Sequence, residues 1–550
     1  MTPERDRGIT RGSAASEALG AAERFVVLVT DKIDPAGLAP LAAHPGFELI
    51  EKHTPELFEP FLSRAQAWLV RSETKVTAER IAKAPRLRLI GRAGVGVDNI
   101  DLAEASRRGI AVVNAPQANT ISACEHSWAL LLSLARRVPQ ADREVQAGRW
   151  ERSKLTGVEL MEKTIGLVGL GRIGREMARR AAAFGMRVAA YDPYLSAEQA
   201  RGSGAELMGL SELLAASDFV SLHVPSSEKT RGMIDSKALA LLKPGARLVN
   251  CARGDLVVEA DLAEALRSGR LAGAALDVFE IEPLPKDSPL RSAPNLILTP
   301  HLGASTHEAQ RKVAEDLAGG VIEFAEKGLA RNAINLPGFD PDTLGALGPT
   351  LALADVLGRF LGQTLDSGLK AVHCRFEGDF QPAQRHPLSV AALKGLLSVI
   401  LEQTLSFVNA PILAGERGIE TSDSASASAP EGYSRLLAVT AVTDRGERSL
   451  WGTVGANGLP RIVRLDGLSV DVDPRGKMLL IANQDRPGVI GRVGTFLGER
   501  GVNIADMRVG RKAAHGEAVM IIHVDDAVPE AVRAELSKLS GITSVRSIEL

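Results

Sequence analysis

A glycine-rich turn is the part of the sequence whose residue spacing most directly indicates chemistry. Residues 164–174 read TIGLVGLGRIG, which places the pattern G-x-G-x-x-G between an apolar strand and a helix. Gly169 permits the tight turn, Gly171 lets backbone N–H groups approach a pyrophosphate, and Gly174 lets the helix pack closely on the strand. The pattern predicts a dinucleotide site with the phosphates at the helix N-terminus.

An acidic residue after the next strand indicates which dinucleotide is bound. Asp192 stands 18 residues after Gly174, at the end of the apolar segment of residues 187–191. Its carboxylate can accept hydrogen bonds from adenosine ribose hydroxyls and would repel a 2′-phosphate. Because no arginine directly follows Asp192, the sequence favours NAD over NADP.

Three charged residues follow predicted strands further along the chain. Arg253, Glu282 and His301 are separated by 29 and 19 residues, and each lies at a strand end or in the loop after it. Loops at the carboxyl ends of parallel strands form the ligand crevice of such a fold. The three side chains are therefore candidates for chemistry beside the dinucleotide.

The overall composition is typical of a soluble globular protein with several domains. The chain has 550 residues, and its 65 basic and 67 acidic side chains leave a formal net charge of −2. This balance gives no electrostatic reason to expect nucleic acid or an anionic membrane as a partner. The widely separated Cys124, Cys251 and Cys374 argue against a disulfide framework or a zinc site and fit a reducing cytoplasm. No apolar run is long enough to cross a bilayer, and residues 1–23 are expected to be a disordered extension.

Short apolar strands alternate with helical segments from residue 24 onward, which predicts a parallel α/β architecture. The predicted strands cover residues 25–29, 67–70, 87–90, 110–113, 187–191, 219–222, 247–250, 273–277 and 295–298. Long helices are predicted over residues 120–147 and 305–327. The order of elements favours two α/β units joined by these helices.

The pattern changes beyond a Pro/Gly-rich boundary near residues 336–341. The elements predicted next are helices near residues 351–361 and 390–408 and an alternating apolar segment at 435–442. Residues 421–430, which are rich in Ser and Ala, are predicted to be a mobile surface loop. From residue 477 the order is strand, helix, strand, strand, helix and strand, which predicts a ferredoxin-like βαββαβ unit.

Several segments together carry a family resemblance. They are residues 92–99 (RAGVGVDN), 250–254 (NCARG), 300–306 (PHLGAST) and the terminal βαββαβ unit. With the glycine turn, they resemble the D-isomer-specific 2-hydroxyacid dehydrogenases, most closely the long-form members that act on D-3-phosphoglycerate. The resemblance implies an α/β fold in which a Rossmann NAD-binding domain is inserted in a discontinuous flavodoxin-like substrate domain. An α+β intervening domain and a βαββαβ ACT domain would follow.

The resemblance also implies bounds for these domains. The substrate domain would comprise residues 24–118 and 301–336, and the NAD-binding domain residues 119–300. The intervening domain, of the allosteric substrate-binding type, would cover residues 340–472. The ACT domain would cover residues 477–550.

For the three charged residues, the resemblance implies oxidation of a 2-hydroxy acid. As hydride leaves C2 for the nicotinamide, the hydroxyl must lose its proton, and His301 is the candidate base, an effect typically of about 10²–10⁴ in rate. Glu282 would bind the other ring nitrogen and stabilise the imidazolium. Arg253 would hold the substrate carboxylate and carbonyl oxygen with its five-donor guanidinium. The other nine histidines, including His126 and His223, are expected to be structural or surface residues.

Recognition of a phosphorylated substrate requires further cations. Arg71, Arg92 and Arg152 are similar to positions at which phosphoglycerate-oxidising relatives contact phosphate or substrate. The other expected substrate contacts are the backbone of one turn and two polar side chains near the hinge, namely Gly94, Val95, Gly96, Asn119 and Ser122. No metal is expected at this site.

Contacts with NAD are expected beyond the glycine turn. The implied positions are Arg172, Ile173, Cys251, Ala252, Asp277, Gly303 and Ala304. Asp277 would lie near the nicotinamide carboxamide, and Cys251 and Ala252 would contribute backbone atoms. Cys251 is not expected to be a nucleophile because hydride transfer does not require a thiolate.

The terminal unit resembles the amino-acid-sensing ACT domain through residues 483–490 (NQDRPGVI) and 501–504 (GVNI). In the family, the first loop and the start of the second strand form a serine site between paired domains. Asp485, Asn503 and Ile504 match ligand-contacting positions, although the first loop lacks the histidine seen in some relatives. The alternative is a dimerisation module without an effector, because allostery requires unequal serine affinity for two states.

The sequence therefore predicts an NAD-dependent enzyme that oxidises D-3-phosphoglycerate to 3-phosphohydroxypyruvate, the first step of phosphorylated L-serine synthesis. We expect a cytoplasmic, serine-regulated homotetramer. Two alternatives stay open. One is a relative that reduces another 2-oxo acid, such as 2-oxoglutarate or glyoxylate, and the other is a non-enzymatic NAD-binding corepressor or sensor. The additional arginines and the ACT-like unit favour the biosynthetic enzyme.

Overall fold

The structure is a computed structural model. It describes residues 24–328, 330–336, 341–430, 432–455, 457–513 and 516–550. The extension predicted at residues 1–23 lies outside the described residues, as does most of the boundary predicted at 336–341.

The first sheet has five parallel strands in the order β2-β1-β3-β4-β5. The strands are β1 (Phe25–Val29), β2 (Phe47–Glu51), β3 (Ala67–Val70), β4 (Leu89–Arg92) and β5 (Ala111–Asn114). The helices are α1 (Pro35–Ala43), α2 (Pro55–Phe58), α3 (Ala78–Ala82) and α4 (Leu102–Arg107). This strand order is the flavodoxin-like one. The sequence prediction missed β2, an edge strand whose residues FELIE are only partly buried.

Two helices follow the first sheet, α5 (Thr120–Arg136) and α6 (Val138–Gln146). The prediction of one continuous helix over residues 120–147 is therefore wrong. Arg137 adopts a left-handed conformation (φ 53°) between the two helices. The break has a local cause, because Pro139 lacks an N–H group and its ring clashes with the preceding helical turn.

The second sheet has seven parallel strands in the order β12-β11-β10-β9-β6-β7-β8. The strands are β6 (Thr164–Val168), β7 (Arg187–Tyr191), β8 (Glu206–Leu207), β9 (Phe219–Leu222), β10 (Ala246–Asn250), β11 (Leu271–Leu276) and β12 (Leu296–Leu298). The helices are α7 (Arg172–Ala183), α8 (Ala197–Gly202), α9 (Leu210–Ala216), α10 (Ser236–Leu241) and α11 (Glu259–Arg267). The strand order reverses between β6 and β9, and a ligand crevice is expected beyond the carboxyl ends of the strands there.

The chain then returns to the first sheet through α12 (His307–Lys327). Thr306 Oγ1 caps this helix by accepting a hydrogen bond from Ala309 N at 3.2 Å. Ala314 and Leu317 of α12 are buried in the same core as β1 and β3. The first α/β unit is thus built from two separate parts of the chain, as the predicted fold class requires.

The third sheet is mixed and has the order β14-β13-β15-β16-β17-β18. The strands are β13 (Leu369–Gly378), β14 (Glu420–Ser426), β15 (Arg435–Thr443), β16 (Gly446–Val454), β17 (Pro460–Leu465) and β18 (Leu468–Val472). The helices are α13 (Pro341–Thr364), α14 (Pro382–Ile400) and α15 (Ala410–Glu416). The helix predicted near residues 390–408 thus begins and ends earlier, at a capping box formed by Gln381 and Gln384 and at Ile400.

The loop predicted at residues 421–430 is largely a strand, which corrects that prediction. β14 pairs in parallel with β13 from Ala371↔Glu420 to Glu377↔Ser426. The small polar side chains of β14 are exposed. Composition suggested a loop, but backbone pairing with a buried neighbour stabilises an edge strand whose side chains pack little.

The last unit has an antiparallel sheet in the order β20-β21-β19-β22. Its elements are β19 (Lys477–Gln484), α16 (Val489–Glu499), β20 (Ile504–Arg511), β21 (Glu517–Val524), α17 (Glu530–Leu536) and β22 (Ile542–Glu549). The βαββαβ prediction is confirmed. One face of the sheet packs on the helices, and Met478 and Ile521 of the other face join the core of the third sheet.

The four sheets together confirm the predicted α/β fold class, with its inserted parallel sheet, mixed third unit and terminal βαββαβ unit. Among the described residues, no helix combines the length and apolar character needed to cross a membrane.

Candidate active site

The glycine turn between β6 and α7 leaves room for a ligand. Gly169 has φ +97°, and a Cβ at this position would lie 2.7 Å from the backbone oxygen of His223. A Cβ at Gly174 would lie 2.2 Å from the oxygen of Gly169, so neither position admits a side chain. A Cβ at Gly171, by contrast, would meet no other described atom within 4 Å. This open space at the N-terminus of α7 fits the phosphates of a dinucleotide.

Asp192 lies directly after β7, beside the glycine turn. Its Oδ2 accepts a hydrogen bond from Leu170 N and its Oδ1 from Tyr194 N, both at 3.0 Å. A carboxylate oxygen has more than one lone pair, so both oxygens can still accept from ribose hydroxyls. Next to the turn, Arg172 is exposed and donates to Pro116 O at 3.2 Å, and Ile173 is half-buried.

The three charged candidates follow three neighbouring strands. Arg253 follows β10, Glu282 follows β11 and His301 follows β12, so their loops meet at one edge of the sheet. The loops after β10 and β11 are in contact, because a Cβ at Gly254 would lie 1.9 Å from the carbonyl carbon of Phe279. His301 Nδ1 lies 2.8 Å from Glu282 Oε2.

The hydrogen bond between Glu282 and His301 defines their protonation. Burial raises the pKa of Glu282, but the hydrogen bond and charge of His301 and the hydrogen bond from Phe279 N outweigh it, and the pKa lies below its usual range. The ionised carboxylate accepts from Nδ1–H, so Nε2 is left as the acceptor on the ring. The His301 side chain is 46% exposed. The pair can therefore take a proton at Nε2 and stabilise the imidazolium.

Arg253 connects the second sheet with the first. Its Nε lies 3.4 Å from Asp98 Oδ2, and its Nη1 donates to Ala252 O at 2.7 Å. Its Nη2 lies so close to Gly96 that a Cβ there would be 2.1 Å away. The guanidinium thus lies against the turn of residues 94–96, where the sequence predicted substrate contacts.

Two further arginines lie around this turn. Burial, and then the positive charges of Arg253 and Arg71, lower the pKa of Arg92 to about 10. Arg71 and Gly94 line a small, partly open pocket. Its other lining residues are Ile33, Asp34, Ala93, Ala304, Gln310 and Val313. Arg71 and Arg253 act on Arg92 as like charges, and because an anion bound among the three would relieve this repulsion, the cluster suits an anionic substrate.

The turn that carries Arg71 is held by two polar side chains. Asp31 is buried and accepts hydrogen bonds from the backbone N–H groups of Arg71 and Thr74 and from the Thr74 hydroxyl. Asn99 Nδ2 donates to the carbonyl oxygens of Arg71 and Thr74 at 2.6 and 2.7 Å. These contacts fix the start of the Arg71 side chain at the pocket.

The remaining predicted substrate contacts differ in their placement. Among the described residues, none donates a hydrogen bond to the buried Oδ1 of Asn119, which leaves this atom available to a ligand. Ser122 is buried and its hydroxyl donates to Gly303 O at 2.9 Å, so its one hydrogen is used within the protein. Arg152 is exposed in the 3₁₀ helix Arg152–Leu155, and within the described part of the chain its guanidinium makes no ion pair. This single chain therefore does not join Arg152 to the other arginines.

The remaining predicted NAD contacts lie after β10 and β11 and before α12. Asp277 is fully buried and accepts hydrogen bonds from Leu302 N and Gly303 N, both at 2.8 Å. Ala252 N donates to Asn250 Oδ1 at 3.0 Å, and Ala304 lines the same pocket as Arg71. Burial raises the pKa of the Cys251 thiol to about 12, which makes a thiolate nucleophile unavailable near neutral pH.

The predicted effector residues are not brought together within one chain. Gln484, next to Asp485, pairs with Glu517, whereas Ile504 pairs with Val524 at the other end of β21. At a rise of about 3.3 Å per strand residue, the two ends are roughly 23 Å apart.

Local contacts of the effector residues are made inside the same chain. Asp485 Oδ2 lies 2.8 Å from Arg511 Nη1, and Asn503 Nδ2 donates to Asp525 Oδ2 at 2.7 Å. A single ligand could contact Asp485 and Asn503 only if a second copy of the unit packed beside the first.

Sequence reasoning missed two residues at the active site. Asp98 pairs with Arg253, although it lies in the segment RAGVGVDN that carried the resemblance. His126 was expected to be structural or on the surface, yet its Nε2 lies 3.0 Å from Asp277 Oδ1. No local signal points to this contact because the partner is 151 residues away.

Three family models match the chain. Residues 128–303 match the D-isomer specific 2-hydroxyacid dehydrogenase, NAD binding domain. Residues 346–466 match the D-3-phosphoglycerate dehydrogenase intervening domain, and residues 477–541 match the ACT domain. The order of these matches is the same as that of the second, third and fourth sheets.

Individual relatives match over nearly the whole chain. The D-3-phosphoglycerate dehydrogenase of Synechocystis is 41% identical over 525 residues, which are 95% of this chain and 94% of the relative. The D-3-phosphoglycerate dehydrogenase of Methanocaldococcus jannaschii is 42% identical over 95% of this chain and 99% of its own length. The crystal structure of Aquifex aeolicus D-lactate dehydrogenase, complexed with NAD and lactic acid, has a TM-score of 0.50 and 31% identity. It covers 55% of this chain and 95% of its own.

Proposed function

The chain belongs to the D-3-phosphoglycerate dehydrogenases of the D-isomer-specific 2-hydroxyacid dehydrogenase family, and we propose here the residues that perform the reaction. The protein is an NAD-dependent oxidoreductase that converts the C2 hydroxyl of D-3-phosphoglycerate to the ketone of 3-phosphohydroxypyruvate. The observation that carries the residue assignment is the hydrogen bond between Glu282 and His301, because the loop that leads to Glu282 also contacts the loop of Arg253.

The glycine turn and Asp192 hold NAD. The open space at Gly171 and the N-terminus of α7 receive the pyrophosphate, and Asp192 accepts from the adenosine ribose. When bound, NAD accepts the hydride that leaves C2 of the substrate. The loops after β10, β11 and β12 would surround the nicotinamide.

His301 and Glu282 perform the proton transfer. As the C2–H bond breaks, His301 Nε2 takes the hydroxyl proton, and the electrons of the O–H bond form the C2=O bond. Glu282 keeps Nδ1–H in place and balances the positive charge of the imidazolium. Because His301 is 46% exposed, its proton then passes to solvent.

The arginines bind the two anionic ends of the substrate. Arg253 holds the C1 carboxylate and the developing carbonyl oxygen, supported by N–H groups of the turn at residues 94–96. Arg71 and Arg92 receive the phosphate. The lowered pKa of Arg92 supports this assignment, because it reflects burial and cationic neighbours that an anion would stabilise.

Turnover with different hydroxy acids distinguishes the biosynthetic enzyme from its alternatives. NADH absorbance is measured after D-3-phosphoglycerate, D-2-hydroxyglutarate or glycolate is added to the protein with NAD. We expect D-3-phosphoglycerate to give the highest kcat/KM. A higher value for either other acid would favour the 2-oxo acid reductase, and NADH binding without turnover of any acid would favour a sensor.

The ACT domain is the proposed site of serine regulation. Asp485 of one domain and Asn503 and Ile504 of a second domain would contact one serine molecule between them. This arrangement requires an assembly of chains, for which we propose a homotetramer. A dimerisation module without an effector is the alternative, and a serine titration that changes neither turnover nor heat of binding would favour it.

We also propose the domain bounds and the cellular location. The substrate domain would comprise residues 24–118 and 301–336, with the NAD-binding domain at 119–300. The intervening domain would cover residues 340–472, and the ACT domain residues 477–550. A cytoplasmic location is supported by three free cysteines.

A further inference from the structure

Helix α5 contacts the loop that carries His301 through two side chains one helical turn apart. Ser122 Oγ donates to Gly303 O at 2.9 Å. His126 Nε2 lies 3.0 Å from Asp277 Oδ1 and 3.2 Å from Thr299 Oγ1. Side chains four residues apart project from the same helix face. Because α5 lies where the chain passes from the first sheet to the second, these contacts join that crossover to the proposed proton-transfer loop.

The hydrogen bonds fix which groups donate. Thr299 Oγ1 donates its only hydrogen to Asp277 Oδ1 at 2.6 Å, so towards His126 it can only accept. A carboxylate also only accepts. Nε2 of His126 therefore carries a hydrogen and donates it to both oxygens.

Asp277 transmits this contact to His301. Its side chain is 1% exposed, and its oxygens accept from Leu302 N and Gly303 N, both at 2.8 Å. Its backbone oxygen accepts from His301 N at 2.8 Å. A buried carboxylate is tolerated only where donors surround it. Burial raises the pKa of Asp277, but the hydrogen bonds of His126, Thr299 and Leu302 N outweigh it, and the pKa lies below its usual range.

The backbone of His301 depends on such support. Its φ of +54° lies in the left-handed region, which is uncommon for a residue with a side chain. Such a conformation persists where surrounding contacts over-determine it. The hydrogen bonds from His301 N to Asp277 O and from Leu302 N to Asp277 Oδ1 are two of these contacts.

We propose that His126 is a positioning residue for hydride transfer, which acts by donating to Asp277 and so holds residues 299–303 in place. It thereby orients the His301 imidazole and the surface that receives the nicotinamide. This role deepens the proposed function, because it concerns the same site. His126 touches neither substrate nor reacting atoms in this account.

Two substitutions separate the donated hydrogen bond from packing. His126→Gln keeps an amide N–H close to the position of Nε2, whereas His126→Leu keeps an apolar side chain without a donor. Removal of a hydrogen bond to a charged group corresponds to roughly a 10- to 100-fold effect. We expect His126→Leu to lower kcat and NADH affinity in that range while the KM for D-3-phosphoglycerate stays about the same. The kcat and NADH affinity of the His126→Gln variant should remain within about threefold of those of the unchanged protein.

A matched control and a cofactor analogue make the test specific. His373→Leu makes the same substitution in β13, remote from the NAD-binding sheet, and should leave both values unchanged. The 3-acetylpyridine analogue of NADH lacks the carboxamide N–H that Asp277 would accept. His126→Leu should therefore weaken binding of NADH more than binding of the analogue, whereas a merely structural role would weaken both equally.

The measurements are steady-state kinetics and NADH fluorescence titrations of the full chain, with thermal melting as a check of folding. Equal losses for the Gln and Leu variants, or no loss in Leu, would overturn the proposal. If His126→Leu does not fold, His126→Asn replaces it, because its shorter amide does not reach Asp277. NADH binding needs no substrate turnover, so the proposal can be judged even if D-3-phosphoglycerate is not oxidised.

Discussion

The proposed catalytic site and the proposed regulatory site differ in how many of their residues a single chain brings together. At the carboxyl ends of β10, β11 and β12, a single chain brings Glu282 and His301 within 2.8 Å and places Arg253 against the turn at residues 94–96. In the ACT domain, the residues flanking β19 and β20 lie at opposite ends of β21. One chain therefore assembles the groups of the proposed chemistry, whereas the proposed serine site would need a second copy to bring its residues together.

Loss of the proposed base, His301, should have the largest effect on turnover. His301→Gln removes the proton acceptor, and we expect kcat to fall by about 10²–10⁴ because a positioned general base contributes that much. NADH affinity and melting temperature should change little. Steady-state kinetics and fluorescence titration measure these quantities, and near-normal turnover in a folded variant would remove His301 from its role.

Substitutions in the arginine cluster should have smaller effects on activity, and these should appear mainly in the KM for D-3-phosphoglycerate. Arg71→Ala and Arg92→Ala each remove a charged contact with the phosphate, which corresponds to roughly a 10- to 100-fold rise in KM for D-3-phosphoglycerate. Because neither arginine takes part in the proposed proton transfer, kcat should fall less. Inorganic phosphate should also inhibit these variants more weakly than the unchanged protein. An unchanged KM in both variants would contradict the phosphate assignment.

Assemblies that contain two different variant chains test the proposed serine site. Asp485→Ala and Asn503→Ala should each abolish the serine response when all chains carry the same substitution. If each serine site joins Asp485 of one chain to Asn503 of another, co-assembly of the two variants restores some complete sites. We expect part of the inhibition to return in the mixture, as measured by serine titration of turnover. No restoration in a verified mixed assembly would mean that the site lies within one chain or is absent.

The pH dependence of stability should reveal the buried Asp277 carboxylate. Its pKa is lowered in the folded state, so its ionisation stabilises the fold above the usual carboxyl pKa of about 4. This contribution is lost as the pH falls through the lowered folded value. We expect Asp277→Asn to lower the free energy of unfolding at pH 7 by about 1–3 kcal/mol, with a smaller difference near pH 3.5. Urea denaturation at both pH values measures this, and a constant difference would contradict it.

The smallest of these effects is expected for the choice between NAD and NADP when Asp192 is substituted. Asp192→Ala removes the acceptor for the ribose hydroxyls and the group that repels a 2′-phosphate. We expect KM for NAD to rise by about tenfold, in line with the loss of a hydrogen bond to a charged group, and the preference for NAD over NADP to narrow. Kinetics with both cofactors measure this change, and an unaltered preference would contradict the role of Asp192.

The placement of the candidate catalytic residues at strand ends was readable from the sequence because its signals are local. The glycine turn, Asp192 and the three strand-end residues each follow a short apolar strand, and the parallel sheet then places those strand ends together. The βαββαβ unit was equally readable from its alternation of elements. The physical reason is that spacing within one strand–loop–helix segment fixes the geometry without distant partners.

Other features depend on contacts that local patterns do not record. His126 has its partners 151 and 173 residues away. The strand β14 has a loop-like composition, and only its pairing with β13 makes it a strand. The break between α5 and α6 had a local signal in Pro139, which the prediction of one helix over residues 120–147 did not take into account. The predicted effector residues lie at opposite ends of β21, so a site that contains all of them would need a second chain, and a pattern within one chain does not record such a contact.

Transfer of deuterium from C2 of the substrate to the cofactor tests whether His301 assists hydride transfer. D-3-phosphoglycerate carrying deuterium at C2 is oxidised in the presence of NAD, and the label in the reduced cofactor is read by mass spectrometry. The account predicts one deuterium per NADH formed, with formation at least 10²-fold slower in His301→Gln. Unlabelled NADH, or labelled NADH formed equally fast without the imidazole, would contradict it.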